Sequence, residues 1–169
     1  FTQCGFSTDV NFPELHFVGI HAFDTIKVNG KLTIGKPTTD NRPQRPFRFE
    51  RAAFWGANIQ ELDIREFKCT TIPNNCFGAV EIPVIRLSDT VQNIGESAFS
   101  YATTDTFDLI PPSKIINSVG VRAFASIRKK SVTLPQIRQM DESCFDDTQW
   151  VTDVNRQLQI VEFYRPPDE

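Results

Sequence analysis

The stretch NIGESAFSYA, residues 93–102, contains a six-residue motif that recurs along the chain. An apolar residue stands at motif position one, a small residue at position five and phenylalanine at position six. The six copies are VGIHAF (18–23), FERAAF (49–54), IPNNCF (72–77), IGESAF (94–99), VGVRAF (119–124) and MDESCF (140–145). Repetition at intervals of about 20–50 residues is typical of solenoids, in which similar units stack on one another. The motif therefore predicts a stack of units.

A second motif, an apolar–any–apolar triplet, alternates with the first. Its copies are VNF (10–12), LTI (32–34), LDI (62–64), IRL (85–87), FDL (107–109), VTL (132–134) and LQI (158–160). Because side chains alternate along a strand, each triplet turns two apolar residues inward and one residue outward. Units of about 23 residues that share a core would pair these strands in a parallel ladder. The predicted outward residues are Thr33, Asp63, Arg86, Asp108, Thr133 and Gln159.

The phenylalanine of each first motif is the predicted core residue of its unit. The chain has 15 Phe against two Trp and two Tyr, which indicates an interior position filled repeatedly by one side-chain type. We expect the rings to stack from unit to unit in a column formed by Phe23, Phe54, Phe77, Phe99, Phe124 and Phe145. At position two, Gly19, Gly95 and Gly120 fit a turn with positive φ. Segments after the phenylalanine, such as 100–104, suit a short helical turn.

The two motifs together resemble BspA-like leucine-rich repeats. The resemblance is clearest in VQNIGESAFSYATTDTFDLIPPSKIINSVGVRAFASIRKKSVTLP (91–135), and it covers residues from about 10 to 163. It implies an α/β repeat solenoid: a right-handed coil of about six or seven units, with a parallel ladder of short strands and short helical turns. Residues 1–169 would form a single domain. This family occurs mostly in surface and secreted proteins of bacteria and some protists, often with a role in adhesion.

The chain departs from the family pattern at two places. The second unit carries extra residues in KPTTDNRPQRP (36–46), a proline-containing loop that is either a tolerated surface insertion or a binding loop. Cysteine replaces alanine at position five in Cys76 and Cys144, where we expect small buried side chains. These two stand three units apart, too far for a disulfide, so Cys69 and Cys76 are the one pair that could bridge. The fourth cysteine is Cys4.

Composition limits the possible functions. The chain is 40% hydrophobic and 23% charged with a net charge of −3, which indicates a folded protein without a basic field for nucleic acid. No run approaches the ~20 apolar residues of a membrane-spanning helix, so we expect no membrane insertion. Because the first residue is Phe1 and the last unit, 158–169, is still rich in apolar residues, we expect the native protein to continue beyond an end or to associate end to end with another copy.

Residues that could support catalysis or bind a metal do not cluster in the sequence. The two histidines, His16 and His21, have no Cys, Asp or Glu partner at ligand spacing. No glycine-rich phosphate loop and no nucleophile–base set is present. The basic run IRKKS (127–131) favours a solvated turn over a polyanion site. The sequence therefore predicts no enzyme activity, no metal and no cofactor.

Three functions stay open at this point. The first is a non-enzymatic binding or adhesion module, at the cell surface or secreted, that holds a protein or glycan partner. Its contact surface would be the outward ladder residues or the 36–46 loop. The second is a structural spacer or assembly unit, and the third is an intracellular scaffold for protein interactions, which free cysteines would permit.

Overall fold

The chain folds into short strands that turns connect. The computed structural model describes residues 1–35, 47–104, 106–108, 114–127, 131–134, 136–146 and 160–163, and no helix occurs among them. The strands are β1 (Gly5–Phe6), β2 (Val10–Phe12), β3 (Phe17–Val18), β4 (Lys27–Ile34), β5 (Arg48–Phe49), β6 (Asn58–Asp63), β7 (Thr71–Ile72), β8 (Val84–Arg86), β9 (Asn93–Ile94), β10 (Thr106–Asp108), β11 (Ile115–Val119), β12 (Ser131–Leu134), β13 (Gln136–Met140) and β14 (Ile160–Phe163). The predicted insertion at 36–46 and residues 128–130 of the basic run lie outside the described residues.

The first sheet is the parallel ladder that the triplets predict. Its order is β1–β4–β6–β8–β10, and β2 also pairs with β4. The triplets are in register, so the inward residues Leu32, Leu62 and Ile85 lie side by side and are buried. Thr33 pairs with Asp63, Asp63 with Arg86, and Arg86 with Asp108.

The end of the ladder differs from the predicted register. β12 and β14 form a separate parallel pair, in which Val132 lies opposite Val161 and Thr133 opposite Glu162. The strand that pairs with the VTL triplet is therefore displaced by three residues from the predicted triplet at 158–160. Val161 begins a second apolar–any–apolar triplet, VEF (161–163), directly after the predicted triplet LQI (158–160). Alternation alone therefore does not distinguish the two registers. Gln159 itself lies outside the described residues.

A second parallel sheet, which the sequence does not predict, runs through position one of the first motif. β7, β9, β11 and β13 are consecutive in it, and β3 pairs with β5 in the same manner. Ile72, Ile94 and Val119 are neighbours across these strands, and all three are buried. At the last of the four strands, Met140 is 43% exposed. Position one is thus a core strand position.

The phenylalanine column is present through the centre of the stack. We call each repeat a coil and number the coils one to six by their motif phenylalanines, from Phe23 to Phe145. Ring centroids of successive coils are 5.0–5.6 Å apart, and their planes differ by only 3–18°. The rings of coils one to five are fully buried and that of Phe145 is half-buried. Phe1 continues the column, stacked on Phe23 at 5.5 Å.

The predicted short helical turns are absent from the described residues. Coils one to five instead each make two tight turns, and a residue with φ between 51° and 63° stands in each of them. In the first turn this residue is at motif position four: His21, Ala52, Asn75, Ser97 and Arg122. In the second it stands two residues after the phenylalanine: Thr25, Gly56, Ala79, Tyr101 and Ser126. Repeated left-handed residues prevent the backbone from continuing as a helix.

The glycines at position two do not provide the positive φ that the sequence predicts for them, since the left-handed residue stands two positions later. Two of them are needed for close packing between coils. A Cβ on Gly95 would stand 2.8 Å from the amide nitrogen of Asn74, and one on Gly120 would stand 2.9 Å from that of Glu96. Gly19 has no such contact, because its nearest neighbour would be 3.6 Å away.

Hydrogen bonds between coils hold the turns in register. The amide of each motif phenylalanine donates to the carbonyl of position five in the next coil, at 2.7–2.9 Å, from Phe23 to Cys144. The left-handed residue after it makes the same kind of bond, as in Thr25 to Trp55 and Ala79 to Ser100. Because each coil satisfies part of its turn amides through its neighbour, the stack is a cooperative unit.

Candidate functional site

The outer side of the first sheet brings most of the predicted ladder residues together. We call this surface the ladder face and define it by Lys31, Thr33, Glu61, Asp63 and Arg86. Register places Thr33, Asp63, Arg86 and Asp108 in one row across four strands. Lys31 and Glu61 form a second row two residues earlier. The other two predicted residues are apart from this face: Thr133 belongs to the β12–β14 pair, and Gln159 is outside the described residues.

An ion-pair network covers the middle of the ladder face. Arg65 donates from Nε and Nη2 to the two oxygens of Asp63, at 3.0 and 2.7 Å. Lys31 Nζ lies 2.9 Å from Asp63 Oδ2 and 3.0 Å from Glu61 Oε1. Arg86 Nε donates to the same oxygen of Glu61 at 3.2 Å. Five side chains from three strands and the following turn are therefore held in one arrangement.

Asp63 is less accessible than its place in the ladder predicts. Its side chain points outward, yet the residue is only 7% exposed because Lys31 and Arg65 cover it. The hydrogen bonds from Arg65 hold the pKa of this carboxyl well below its usual range, although partial burial opposes them. Lys31 likewise lowers the pKa of Glu61, and the two carboxylates raise that of Lys31. All members of the network are thus charged at neutral pH.

The network changes what the ladder face can offer a partner. Its carboxylates are largely neutralised by Lys31, Arg65 and Arg86, so no single sign of charge dominates the five residues. Thr33 and Arg86 are half-buried, and Arg65 is exposed. A flat, polar and preorganised surface of this kind suits contacts whose hydrogen bonds demand fixed geometry.

A second polar row, which the sequence reasoning missed, runs along the second sheet. Thr71, Asn93, Ser118 and Gln139 are neighbours across four strands, each directly before motif position one. Ser118 Oγ donates to Asn93 Oδ1 at 2.9 Å. This row carries no charge, in contrast to the ladder face. Its signal in the sequence was the polar residue that precedes position one in these four coils.

The cysteines and histidines form no chemical site among the described residues. All four cysteines are free thiols, so the one bridge that the spacing allowed, between Cys69 and Cys76, is not formed. Burial raises the pKa of Cys69 to about 12 and that of Cys144 to about 11, which keeps both as unreactive thiols. His21 pairs with Asp24 at 2.9 Å on the surface.

No three His, Cys, Asp or Glu residues in the described part of the chain are grouped as metal ligands. The described residues also contain no helix with the length and apolar character that a membrane-crossing helix needs.

Comparison with known proteins identifies the repeat. The family model described as BspA type leucine rich repeat region matches in six copies, over residues 1–118 and 47–164. These two overlapping ranges together cover nearly the whole chain. No curated protein and no solved structure is significantly similar to it. From the match to the repeat model and the parallel stacked coils, the chain belongs to the BspA-type leucine-rich repeat family.

Proposed function

We propose that this domain is a non-enzymatic binding and adhesion module, displayed at a cell surface or secreted, that holds a protein or glycan through the ladder face. Leucine-rich repeats are generally protein-interaction modules, and they generally lack catalytic activity. The membership supports an interaction role, and the commonly extracellular or surface setting of the family supports the location.

The observation that carries the choice of face is the ion-pair network around Asp63. Side chains that must be ordered on binding reduce affinity, by about 0.5–1.5 kcal/mol for each flexible one. Lys31, Arg65 and Arg86 are already fixed by their carboxylate partners. The remaining donor hydrogens of Lys31 and Arg65 can then bind a partner at a smaller entropic cost. The loop at 36–46 is the second candidate surface, because insertions in solenoids project from one face.

The test compares two faces of one fold. The purified domain is applied to an array of immobilised oligosaccharides and to a display library of folded protein domains. Thr33→Arg places a bulky charge on the ladder face, and Asn93→Arg is its matched control on the second sheet, since both residues are half-buried polar strand residues. Thermal unfolding confirms that each variant folds.

We expect Thr33→Arg to weaken binding of the selected partner by about tenfold or more, which corresponds to 1.4 kcal/mol. Asn93→Arg should leave the affinity unchanged. The opposite pattern would move the binding surface to the second sheet. Failure of the wild-type domain to select any partner would contradict the binding function itself.

A further inference from the structure

Two large aromatic residues stand in the turns that follow the motif phenylalanines. We call this surface the turn ridge and define it as the two residues after each motif phenylalanine, from Asp24 and Thr25 in coil one to Ala125 and Ser126 in coil five. Trp55 in coil two and Tyr101 in coil four belong to it. The chain has only two Trp and two Tyr, and these are the ones among the described residues. Trp and Tyr are the side chains that binding surfaces favour.

Tyr101 has no evident role in the packing of the coil. It is 58% exposed and adopts φ 59°, a conformation that is costly for a bulky residue. Coils one, two, three and five place a small residue at the same position, namely Thr25, Gly56, Ala79 and Ser126. An exposed ring recovers little free energy from burial, so stability does not explain why this coil carries tyrosine. Residues held in strained conformations cluster at binding sites.

Trp55 occupies a place that the chain leaves open for it. Its six-membered ring contacts the position at which a side chain on Gly78 would stand, so even a methyl group there would collide with the indole. Other coils have side chains at the equivalent position, such as Asp24 and Ser100. Gly78 thereby allows the indole of coil two to lie over coil three. Coil four, which carries Tyr101, is the next in the stack.

A row of hydrogen-bonding side chains lies beside the two aromatic residues. Asn58, Glu81 and Thr103 are exposed. Asn58 stands three residues after Trp55, Glu81 three residues after Gly78, and Thr103 two residues after Tyr101. Parallel bridges join Asn58 to Glu81 and Glu81 to Thr103. Asn58 Nδ2 donates to Glu81 Oε2 at 2.8 Å, which fixes an amide next to a carboxylate. Successive members are about 5 Å apart, the spacing of neighbouring strands.

From the positions of these residues on successive coils we infer that Trp55 and Tyr101 form a binding site for a pyranose ring of a glycan. A sugar ring presents a face of C–H bonds, which packs on the electron-rich face of an aromatic side chain. Its hydroxyl groups lie in the plane of the ring and hydrogen-bond to side chains at its edge. The amide, carboxylate and hydroxyl of Asn58, Glu81 and Thr103 supply both acceptors and donors for them. A proline-rich peptide could stack on the same rings, but its prolines have no N–H group to donate to the carboxylate of Glu81.

The residues of this site differ from those that define the ladder face, so its test can fail while the proposed function holds. The probe is an array of neutral oligosaccharides, followed by titration of the free oligosaccharide that gives the strongest signal. Tyr101→Ser introduces the residue found at this position in coil five. Gly78→Ala displaces the indole of Trp55 without changing an aromatic residue. Tyr101→Phe keeps the ring, and Ile20→Ser removes an exposed apolar residue elsewhere as a control.

We expect Tyr101→Ser and Gly78→Ala each to raise the Kd of the oligosaccharide by about tenfold or more. Tyr101→Phe and Ile20→Ser should each stay within about threefold of the wild type, with melting temperatures that show all variants folded. Loss of binding in Thr33→Arg but not in Tyr101→Ser would overturn the ridge site and leave the ladder face as the glycan surface. A wild-type domain that binds a proline-rich peptide but no oligosaccharide would also overturn it.

Discussion

The phenylalanine column makes one strong prediction about stability, for the substitution Phe99→Ala. Phe99 is 0% exposed and lies between two rings, with centroids 5.2 Å from Phe77 and 5.6 Å from Phe124. Burial of a phenylalanine side chain contributes about 1.5–3 kcal/mol. Each stacked contact adds about 0.5–1.5 kcal/mol beyond burial. The two contributions together give a loss of about 4 kcal/mol, inside the range of about 3–5 kcal/mol for such substitutions.

Urea unfolding followed by circular dichroism measures this loss. The matched control is Phe17→Ala in β3, because Phe17 is 49% exposed and the guanidinium of Arg48 lies over its ring face, at 4.9 Å. We expect the control to cost roughly 1 kcal/mol, since an exposed cation–π contact is worth about 0.5–1 kcal/mol. Each variant loses one phenylalanine side chain. The difference between the two losses in free energy of unfolding therefore measures what the buried, stacked position in the column contributes.

A loss below about 1.5 kcal/mol in Phe99→Ala would refute the reasoning, because a ring that stacks on both faces cannot be removed so cheaply. An equal loss in both variants would show that the column contributes nothing beyond ordinary burial. The free energy of unfolding is valid for this comparison when both variants show the same dependence on urea concentration.

Three further outcomes are expected. Gly95→Ala should lower the free energy of unfolding by about 1–3 kcal/mol, because its Cβ would meet backbone of the preceding coil, whereas Gly19→Ala, with room for a methyl group, should change it by less than about 0.5 kcal/mol in thermal unfolding. Asp63→Asn should lower the free energy of unfolding by about 1.5–3 kcal/mol at pH 7. The pKa of Asp63 in the folded protein lies below the unfolded value of 3.8, so its carboxylate contributes fully to the free energy of unfolding above pH 3.8 and loses that contribution as the pH falls toward the folded value. The variant should therefore show a weaker pH dependence of the urea midpoint below pH 3.8. An unchanged dependence would contradict the ion pairing. In a thiol assay only exposed Cys4 should react in the native protein and all four cysteines after denaturation, so rapid reaction of a second native thiol would contradict the buried positions.

Much of the fold could be predicted because its residues repeat by type. Phe77, Phe99 and Phe124 recur with a small residue before them, and that spacing predicts a stacked interior position. The triplets predict the ladder because alternation fixes which side chain points inward, as for Leu62 beside Asp63. The register of the first four outward residues follows from the same alternation. At the last triplet the neighbouring residues are equally apolar, so the pattern no longer selects one register.

The second sheet could not be predicted from such patterns. Its strands β7 and β9, and the β3–β5 pair, have only two residues in each strand, and alternation needs more residues to be visible. The prediction of positive φ at the position-two glycines is wrong because both positive φ and close packing favour glycine. Gly95 allows close packing. The residues with positive φ, such as Asn75 and Arg122, share no side-chain chemistry that would reveal them.

The candidate sites were visible only in part. The sequence places Asp63 in the outward row, but its burial depends on Lys31 from the neighbouring coil and on Arg65 beyond the strand. No periodic pattern reports a contact between residues of different rows. The repeat pattern does not identify Trp55 and Tyr101 for a similar reason, since they are exceptions at positions that otherwise hold small or polar residues. The contact of Trp55 with Gly78 and the row formed by Asn58, Glu81 and Thr103 are seen only in the structure.

The hydrogen bonds between turns also give the stack an electrical direction. From Phe23 through Phe54, Phe77 and Phe99 to Phe124, each amide points toward the next coil, and the same peptide unit accepts from the coil before it. These peptide dipoles therefore add head to tail, as they do along an α-helix. In the two sheets neighbouring amides alternate, so their dipoles largely cancel. The turn side of the domain consequently carries a dipole along the stack, with partial positive charge toward the coil of Cys144 and partial negative charge toward the coil of Phe23.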